Sequence, residues 1–146
     1  MLEPEEPTPK TNDYLLLDTH IWIWLTTGSV EMLSDSSLMA IKSANRLAVS
    51  AISVWEVGML ESKGRIQLQS NCLDWVRNAL KAPRVRLLPL TPEVAVESSR
   101  LPGDIHGDPS DRILAATSRL EGASLVTKDR QLQRYGQQSF ISVVAA

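Results

Sequence analysis

Two aspartates in the C-terminal third of the chain, Asp111 and Asp129, have the type and spacing of a shared site. Asp111 follows Asp108-Pro109-Ser110, which predicts a helix with an aspartate cap and proline at its first position. Asp129 follows residues 124–126, a short apolar run that predicts a buried strand. Because two neighbouring carboxylates repel each other unless a positive charge lies between them, the pair predicts a cation-binding site.

Two further acids are expected at the same edge of the fold. Asp18 ends the apolar run of residues 14–17, which is typical of a strand buried on both faces of a parallel sheet. Glu56 completes Ser53-Val54-Trp55-Glu56, a capping-box pattern that predicts a helix start at Ser53 with Glu56 in its first turn. All these positions lie at the carboxyl end of a parallel sheet, where open α/β folds bind ligands.

Helix capping is the simpler interpretation of each acid alone, because a carboxylate at a helix N-terminus stabilises the free amides and the helix dipole. Capping accounts for Asp108, which stands directly before Pro109. It does not account for the convergence of four acids at one edge of a sheet. The sequence therefore predicts a metal site formed by Asp18, Glu56, Asp111 and Asp129.

Hard divalent cations, Mg²⁺ or Mn²⁺, fit a set of carboxylate oxygens. Zinc fits less well, because His20 and His106 are the only histidines and neither has a ligand-like spacing to a second histidine or cysteine. Carboxylates that hold one or two such ions are typical of phosphodiester hydrolysis, in which an ion activates a water and stabilises the leaving oxygen. We therefore expect chemistry on a phosphodiester bond.

Short apolar strands alternate with helices along the chain, which predicts an α/β domain with a mainly parallel, helix-covered sheet. Residues 1–12 contain three prolines and three glutamates without apolar periodicity, and are expected to form a disordered tail. Residues 13–146 are expected to form one domain. The strands are predicted at residues 14–17, 46–50, 85–88, 124–126 and 140–144.

The chain has 146 residues, 43% of them hydrophobic, which is enough for one domain with a proper core and too little for two. Its net charge of −2 differs from that of the basic domains that coat nucleic acids. Two divalent cations bound to the four acids would change the net charge from −2 to +2, so the net charge of the protein does not exclude a polyanionic substrate.

The single cysteine, Cys72, excludes an internal disulfide and a cysteine-cluster zinc site, and is typical of a reducing compartment. No apolar run approaches the roughly 20 residues that span a bilayer. Residues 1–7 are acidic and proline-rich, the opposite of a secretory signal peptide. We therefore expect a cytoplasmic protein without membrane contact.

Four acidic blocks, in this order along the chain, closely resemble the PIN-domain ribonucleases and, more narrowly, the VapC-type toxins of bacterial toxin-antitoxin pairs. The resemblance covers about residues 14–144, and the ordered set is more specific than any single block. The blocks are Leu16-Leu17-Asp18-Thr19-His20, Ser50-Ala51-Ile52-Ser53-Val54-Trp55-Glu56-Val57, His106-Gly107-Asp108-Pro109-Ser110-Asp111-Arg112-Ile113-Leu114-Ala115-Ala116 and Leu125-Val126-Thr127-Lys128-Asp129.

The resemblance implies a three-layer α/β/α sandwich around a parallel five-stranded sheet. It also implies that Asp18, Glu56, Asp111 and Asp129 form the catalytic metal site for Mg²⁺-dependent endonucleolytic cleavage of RNA. The partners that it implies are a small antitoxin protein that blocks the site and a second copy of the chain in a homodimer.

Four residues beside the acids are candidates for supporting roles. Thr127, at a predicted strand end, could position a water or an acid next to the metal, a role that the resemblance supports, or serve only the fold. Arg112 is expected to pair with a neighbouring acid rather than to contact a substrate phosphate. Lys128 could contact substrate phosphates, although a charged helix face is more often simply solvated. Asp108 is expected to cap the helix that carries Asp111.

Other functions fit the residues less well. A phosphotransfer enzyme with Asp18 as nucleophile would need an acid two residues later, where His20 stands. A phosphoacceptor receiver domain would need an acidic pair, but Thr19 follows Asp18. The remaining alternative is a catalytically weak PIN-like module that binds RNA or a protein. Such a module is expected to lack one or more of the four acids, and all four are present, which favours the enzyme.

Overall fold

A parallel five-stranded sheet is the centre of the protein in a computed structural model that describes residues 13–146. The strands are β1 (Tyr14–Leu17), β2 (Arg46–Ser50), β3 (Val85–Leu88), β4 (Ser124–Thr127) and β5 (Val143–Ala145). They lie in the order β3-β2-β1-β4-β5, and each neighbouring pair is parallel. The central strand β1 is buried along its whole length, which explains its unbroken apolar sequence. The predicted tail, residues 1–12, lies outside the described residues.

Seven α-helices connect and cover the strands in residues 13–146. They are α1 (Thr19–Thr27), α2 (Asp35–Ser43), α3 (Ala51–Ser62), α4 (Cys72–Leu80), α5 (Pro92–Ser99), α6 (Pro109–Glu121) and α7 (Arg130–Gln137). A short 3₁₀ turn at Val30–Met32 was not among the predicted elements. Within the described part of the chain, no helix has the length and apolar character needed to cross a membrane.

Two hydrophobic cores cover the two faces of the sheet. Leu15 and Leu17 of β1 lie in one core, together with side chains from α1, α2, α3 and α4. Leu16, which points to the opposite face, lies in the other core with side chains from α5, α6 and α7. The predicted three-layer α/β/α sandwich is therefore confirmed.

Polar caps start the helices that carry the candidate site. Asp108 caps α6, and its Oδ1 accepts a hydrogen bond from the backbone N–H of Asp111 at 3.2 Å, as predicted. The predicted start of α3 at Ser53 is wrong, because Ser50 is both the last residue of β2 and the cap of α3. Its hydroxyl accepts from the N–H of Ile52 at 3.1 Å. Glu56 therefore lies in the second turn of α3.

The last strand is shorter than predicted. Phe140 and Ile141 precede β5 and pack against the core that contains Leu132 and Tyr135, and pairing with β4 begins only at Val143. The other four predicted strands match the observed bounds to within one residue.

Gly122 ends α6 in a left-handed conformation, with φ of 66°. We expect Gly122→Ala to lower the free energy of unfolding by about 1–2 kcal/mol, because a side chain in this conformation is strained. Gly58, inside α3, has an ordinary helical backbone and open space where a methyl group would lie, so Gly58→Ala should raise the free energy by about 0.5–1 kcal/mol. Urea denaturation measures both. A gain of stability in Gly122→Ala would contradict the assigned cap.

Candidate active site

The buried hydroxyl of Thr127 joins two of the predicted acids at the carboxyl ends of β1 and β4. It donates a hydrogen bond to Oδ2 of Asp18 at 2.6 Å and accepts one from the backbone N–H of Asp129 at 3.0 Å. Asp18 also accepts from the N–H of Thr19 at 2.7 Å, as the cap of α1. Because β1 and β4 are neighbours in the sheet, this hydroxyl fixes the spacing of Asp18 and Asp129.

Glu56 is held by a second hydroxyl, that of Thr19, which is buried. Thr19 Oγ1 lies 2.7 Å from Oε1 of Glu56 and 2.9 Å from Oγ of Ser53. A hydroxyl has only one proton. If Thr19 donates its proton to Glu56, the hydroxyl of Ser53 must be the donor in the contact between Ser53 and Thr19. Ser53 thus supports Glu56 through Thr19 and does not cap the helix.

Asp111 stands in the first turn of α6 and lies beside a histidine. His106 Nε2 is 3.0 Å from Oδ2 of Asp111, although the direction of its N–H does not make a hydrogen bond. The other ring nitrogen of His106, Nδ1, accepts from the backbone N–H of Asp108 at 3.3 Å. The loop before α6 therefore brings an imidazole to the acidic edge.

Three of these side chains could hold one metal ion. The ligand atoms of His106, Asp111 and Asp129 all lie within 4.8 Å of one another. Asp18 and Glu56 do not belong to this group of three, but they are close enough to raise the pKa of Asp111. The structure thus brings Asp111 and Asp129 together and places Asp18 and Glu56 around them.

Charge repulsion and burial disturb the ionisation of this edge. Burial, followed by the charges of Asp108, Asp129, Asp18 and Glu56 in that order, raises the pKa of Asp111 to about 7. Burial also raises the pKa of Asp18 and of Glu56, against the hydrogen bonds from Thr127 and Thr19 that lower them. Carboxyl groups in this condition favour a bound cation, so the residues present fit a divalent metal ion.

No lysine or arginine within residues 13–146 forms a salt bridge with any of the four acids. The predicted ion pair of Arg112 with a neighbouring acid is wrong. Its Nε donates to the carbonyl of Ser98 at 2.8 Å and its Nη1 to that of Ile105 at 3.2 Å, which ties the loop before α6 to the end of α5. Lys128 is exposed, with Nζ 5.4 Å from the centroid of the Trp24 ring.

His106, Thr19 and Ser53 are the parts of this site that sequence reasoning missed. The sequence did contain a signal for His106 as a site residue, because it lies in the same acidic block as Asp111. It was set aside because no second histidine or cysteine stands at a spacing typical of zinc ligands. The contact of Thr19 with Glu56 spans 37 residues and left no local pattern.

A parallel sheet with acids at its carboxyl edge defines a class of protein, and the sequence matches that class. Residues 15–138 match the PIN domain, so the chain belongs to the PIN domain family.

Individual relatives agree with this family. The chain is 40% identical over 121 residues to Ribonuclease VapC22 of Mycobacterium tuberculosis (strain ATCC 25618 / H37Rv). The aligned region covers 83% of this chain and 91% of that protein. DNA-bound VapBC from Salmonella typhimurium has a similar fold, with a TM-score of 0.66, 16% identity and coverage of 90% of this chain and 97% of that one. A toxin-antitoxin complex from Klebsiella pneumoniae gives a TM-score of 0.60, 21% identity and coverage of 90% and 96%.

The raised pKa of Asp111 predicts how stability depends on pH. An acid with a raised pKa binds a proton more readily in the folded state, so the stability of the metal-free protein should fall as the pH rises from about 4, the ordinary value of the unfolded chain, to about 7. Asp111→Asn should remove much of this fall. At pH 8 in EDTA, the variant should melt about 3–6 °C above the wild type, a change of ~1–2 kcal/mol.

Melting temperatures at pH 5 and pH 8 measure this effect. Asp74→Asn changes an exposed aspartate in the first turn of α4, far from the acidic edge in sequence, and serves as control. A wild type that is more stable at pH 8 than at pH 5 without metal would contradict the assignment.

Proposed function

We propose that this protein is a metal-dependent endoribonuclease and the toxin of a toxin-antitoxin pair. The observation that carries the proposal is the Asp111 carboxyl group, whose pKa is raised by burial and by the acids that local sequence patterns predicted at the same edge. The identity of 40% with a protein named as a ribonuclease supports the activity. The fold similarity to toxin-antitoxin complexes supports the biological role.

In this proposal the catalytic metal ligands are Asp18, Glu56, Asp111 and Asp129, and the metal is Mg²⁺ or Mn²⁺, because all four side chains offer carboxylate oxygens. When bound, such an ion supplies an activated water and neutralises charge on the phosphate and the leaving oxygen. His106 stands beside Asp111 and Asp129, where its Nε2 could serve as a further ligand.

The chain's own residues prepare this site. Thr127 and the backbone N–H of Thr19 donate to the two oxygens of Asp18, and the Thr19 hydroxyl donates to one oxygen of Glu56, which orients both carboxylates. Burial and the neighbouring acids raise the pKa of Asp111 to about 7, so near neutral pH a part of the molecules carries a proton on this carboxyl, and that proton would have to leave for Asp111 to serve as a metal ligand. Asp108 orients the first turn of α6.

The RNA substrate is expected to meet the exposed edge around these acids. Lys128 is exposed next to Asp129 and can contact a substrate phosphate. Arg112 is occupied by two backbone carbonyls and instead fixes the loop that carries His106.

Protein partners are part of the proposal. The fold similarity to a toxin-antitoxin complex supports a cognate antitoxin as one partner. The other proposed partner is a second copy of the chain, in a homodimer. The expected location is the cytoplasm, where an RNA-cleaving toxin meets its substrate.

Cleavage of total RNA tests the activity. We expect the wild type to cut RNA with Mg²⁺ and not with EDTA, and Asp18→Asn and Asp129→Asn to lose at least ~100-fold in rate, because each substitution removes a charged ligand. Equal cleavage in all four samples would contradict the metal site. Binding of RNA without any cleavage would favour the catalytically weak binding module.

Asp108→Asn provides a comparison within the same helix turn. Asparagine caps helices about as well as aspartate, so we expect a loss of less than ~10-fold in cleavage rate, well below the loss for Asp111→Asn. The two rates are measured on the same RNA with saturating Mg²⁺. Losses of the same size would mean that Asp108 shares the metal site.

Thr19→Val tests the hydroxyl that holds Glu56. Valine keeps the shape of threonine but donates no hydrogen bond, so we expect Mn²⁺ affinity, measured by calorimetry, to fall about 10–100-fold. Thr19→Ser retains the hydroxyl and should stay close to the wild type. Wild-type Mn²⁺ affinity in Thr19→Val would contradict this role of the hydroxyl.

A further inference from the structure

A small cavity of about 250 Å³ adjoins the acidic edge. One wall is the loop before α6, with Asp104, Ile105 and His106, and the other is α7, with Gln131, Arg134 and Tyr135. Both walls lead to the metal-site residues, because His106 Nε2 lies 3.0 Å from Asp111 Oδ2 and the N–H of Gln131 donates to Oδ1 of Asp129 at 2.9 Å. The cavity is therefore next to the proposed metal site.

The cavity contains two opposite charges that do not neutralise each other. Asp104 and Arg134 both line it and both are exposed, yet neither forms a salt bridge with any residue of 13–146. A carboxylate offers two acceptors and a guanidinium offers a planar fork of donors. A ligand that bridges them must present a pair of donors on one edge and a pair of acceptors on another.

The remaining walls suit a flat ring. Ile105 provides apolar surface, and behind it the buried Tyr135 is fixed by the hydrogen bond that its hydroxyl donates to the carbonyl of Pro102 at 2.6 Å. The volume is below the ~300–1,000 Å³ that is typical of sites for complete small molecules. It therefore suits a single unit of a longer ligand.

We propose that this cavity binds a guanine base of the RNA substrate, with Asp104 accepting from N1–H and the N2 amine and Arg134 donating to O6 and N7. Guanine is the base that combines two adjacent acceptors with an adjacent pair of donors. Adenine and cytosine present an amine where Arg134 needs an acceptor, and uracil lacks the second acceptor beside its carbonyl. Single-stranded RNA exposes both edges of an unstacked base, as this contact requires.

The proposal deepens the proposed ribonuclease function and rests on it for the identity of the substrate. Its test separates the two by measuring base binding without cleavage. Mononucleotides contain no internucleotide bond, so the Mg²⁺-loaded protein can bind them without cutting them. Since GMP, IMP, AMP, CMP and UMP share the same phosphate, differences in their affinity report on the base alone.

We expect GMP to bind the wild type at least about tenfold more tightly than AMP, CMP or UMP in NMR titrations, and more tightly than IMP, which lacks the N2 amine. Asp104→Ala should abolish the preference for GMP over IMP, and Arg134→Ala should weaken both. Arg130→Ala changes an exposed arginine on the same helix that does not line the cavity, and should bind like the wild type.

Sequencing of the ends of cleaved RNA provides the second measurement. We expect guanine to be enriched at one fixed position next to the cut by the wild type, and the enrichment to be lost in Asp104→Ala with an unchanged melting temperature. Cleavage without base preference, together with equal binding of all five mononucleotides, would overturn the guanine site and leave the ribonuclease function standing. Preferential GMP binding without cleavage of any RNA would support the guanine site and overturn the function.

Discussion

Repulsion among partly buried carboxylates is the constraint on which the rest of this structure depends. Asp18, Glu56, Asp111 and Asp129 come from four separate parts of the chain, and burial and mutual charge raise the pKa of Asp111 to about 7. Within residues 13–146, no lysine or arginine forms a salt bridge with any of these acids. The protein tolerates the repulsion because two rigid cores hold the strands, and because the hydroxyls of Thr127 and Thr19 compensate part of the cost of burying Asp18 and Glu56.

Local signals predicted most of the fold and the position of the four acids. Continuous apolar runs predicted strands such as β1, and the cap Asp108 predicted the start of α6. The predicted start of α3 is wrong because two serines could cap this helix. Ser50, the last residue of the preceding strand, is the one that caps it. A capping pattern shows that a residue can cap a helix, but it does not show whether the helix already begins at an earlier residue.

Contacts between distant segments could not be predicted in this way. Arg112 lies beside an acid in sequence, but its long side chain reaches two carbonyls that only the folded loop presents. His106 and Thr19 became part of the site through the same kind of contact. For each of these residues the partner was set by tertiary packing, which a single sequence without related sequences does not reveal. The residues that hold the acids were thus harder to predict than the acids themselves.

The hydrogen bond between Thr127 and Asp18 connects residues that are 109 positions apart. During synthesis from the N-terminus, Asp18 leaves the ribosome long before Thr127 and Asp129 have been joined to the chain. The acidic edge is therefore complete only when almost all of the domain has been made, because β4 must insert beside β1 before its acid is in place. A nascent chain that ends before Asp129 therefore lacks one of the four acids of this edge, and the proposed metal site cannot form while the first half of the domain is being made.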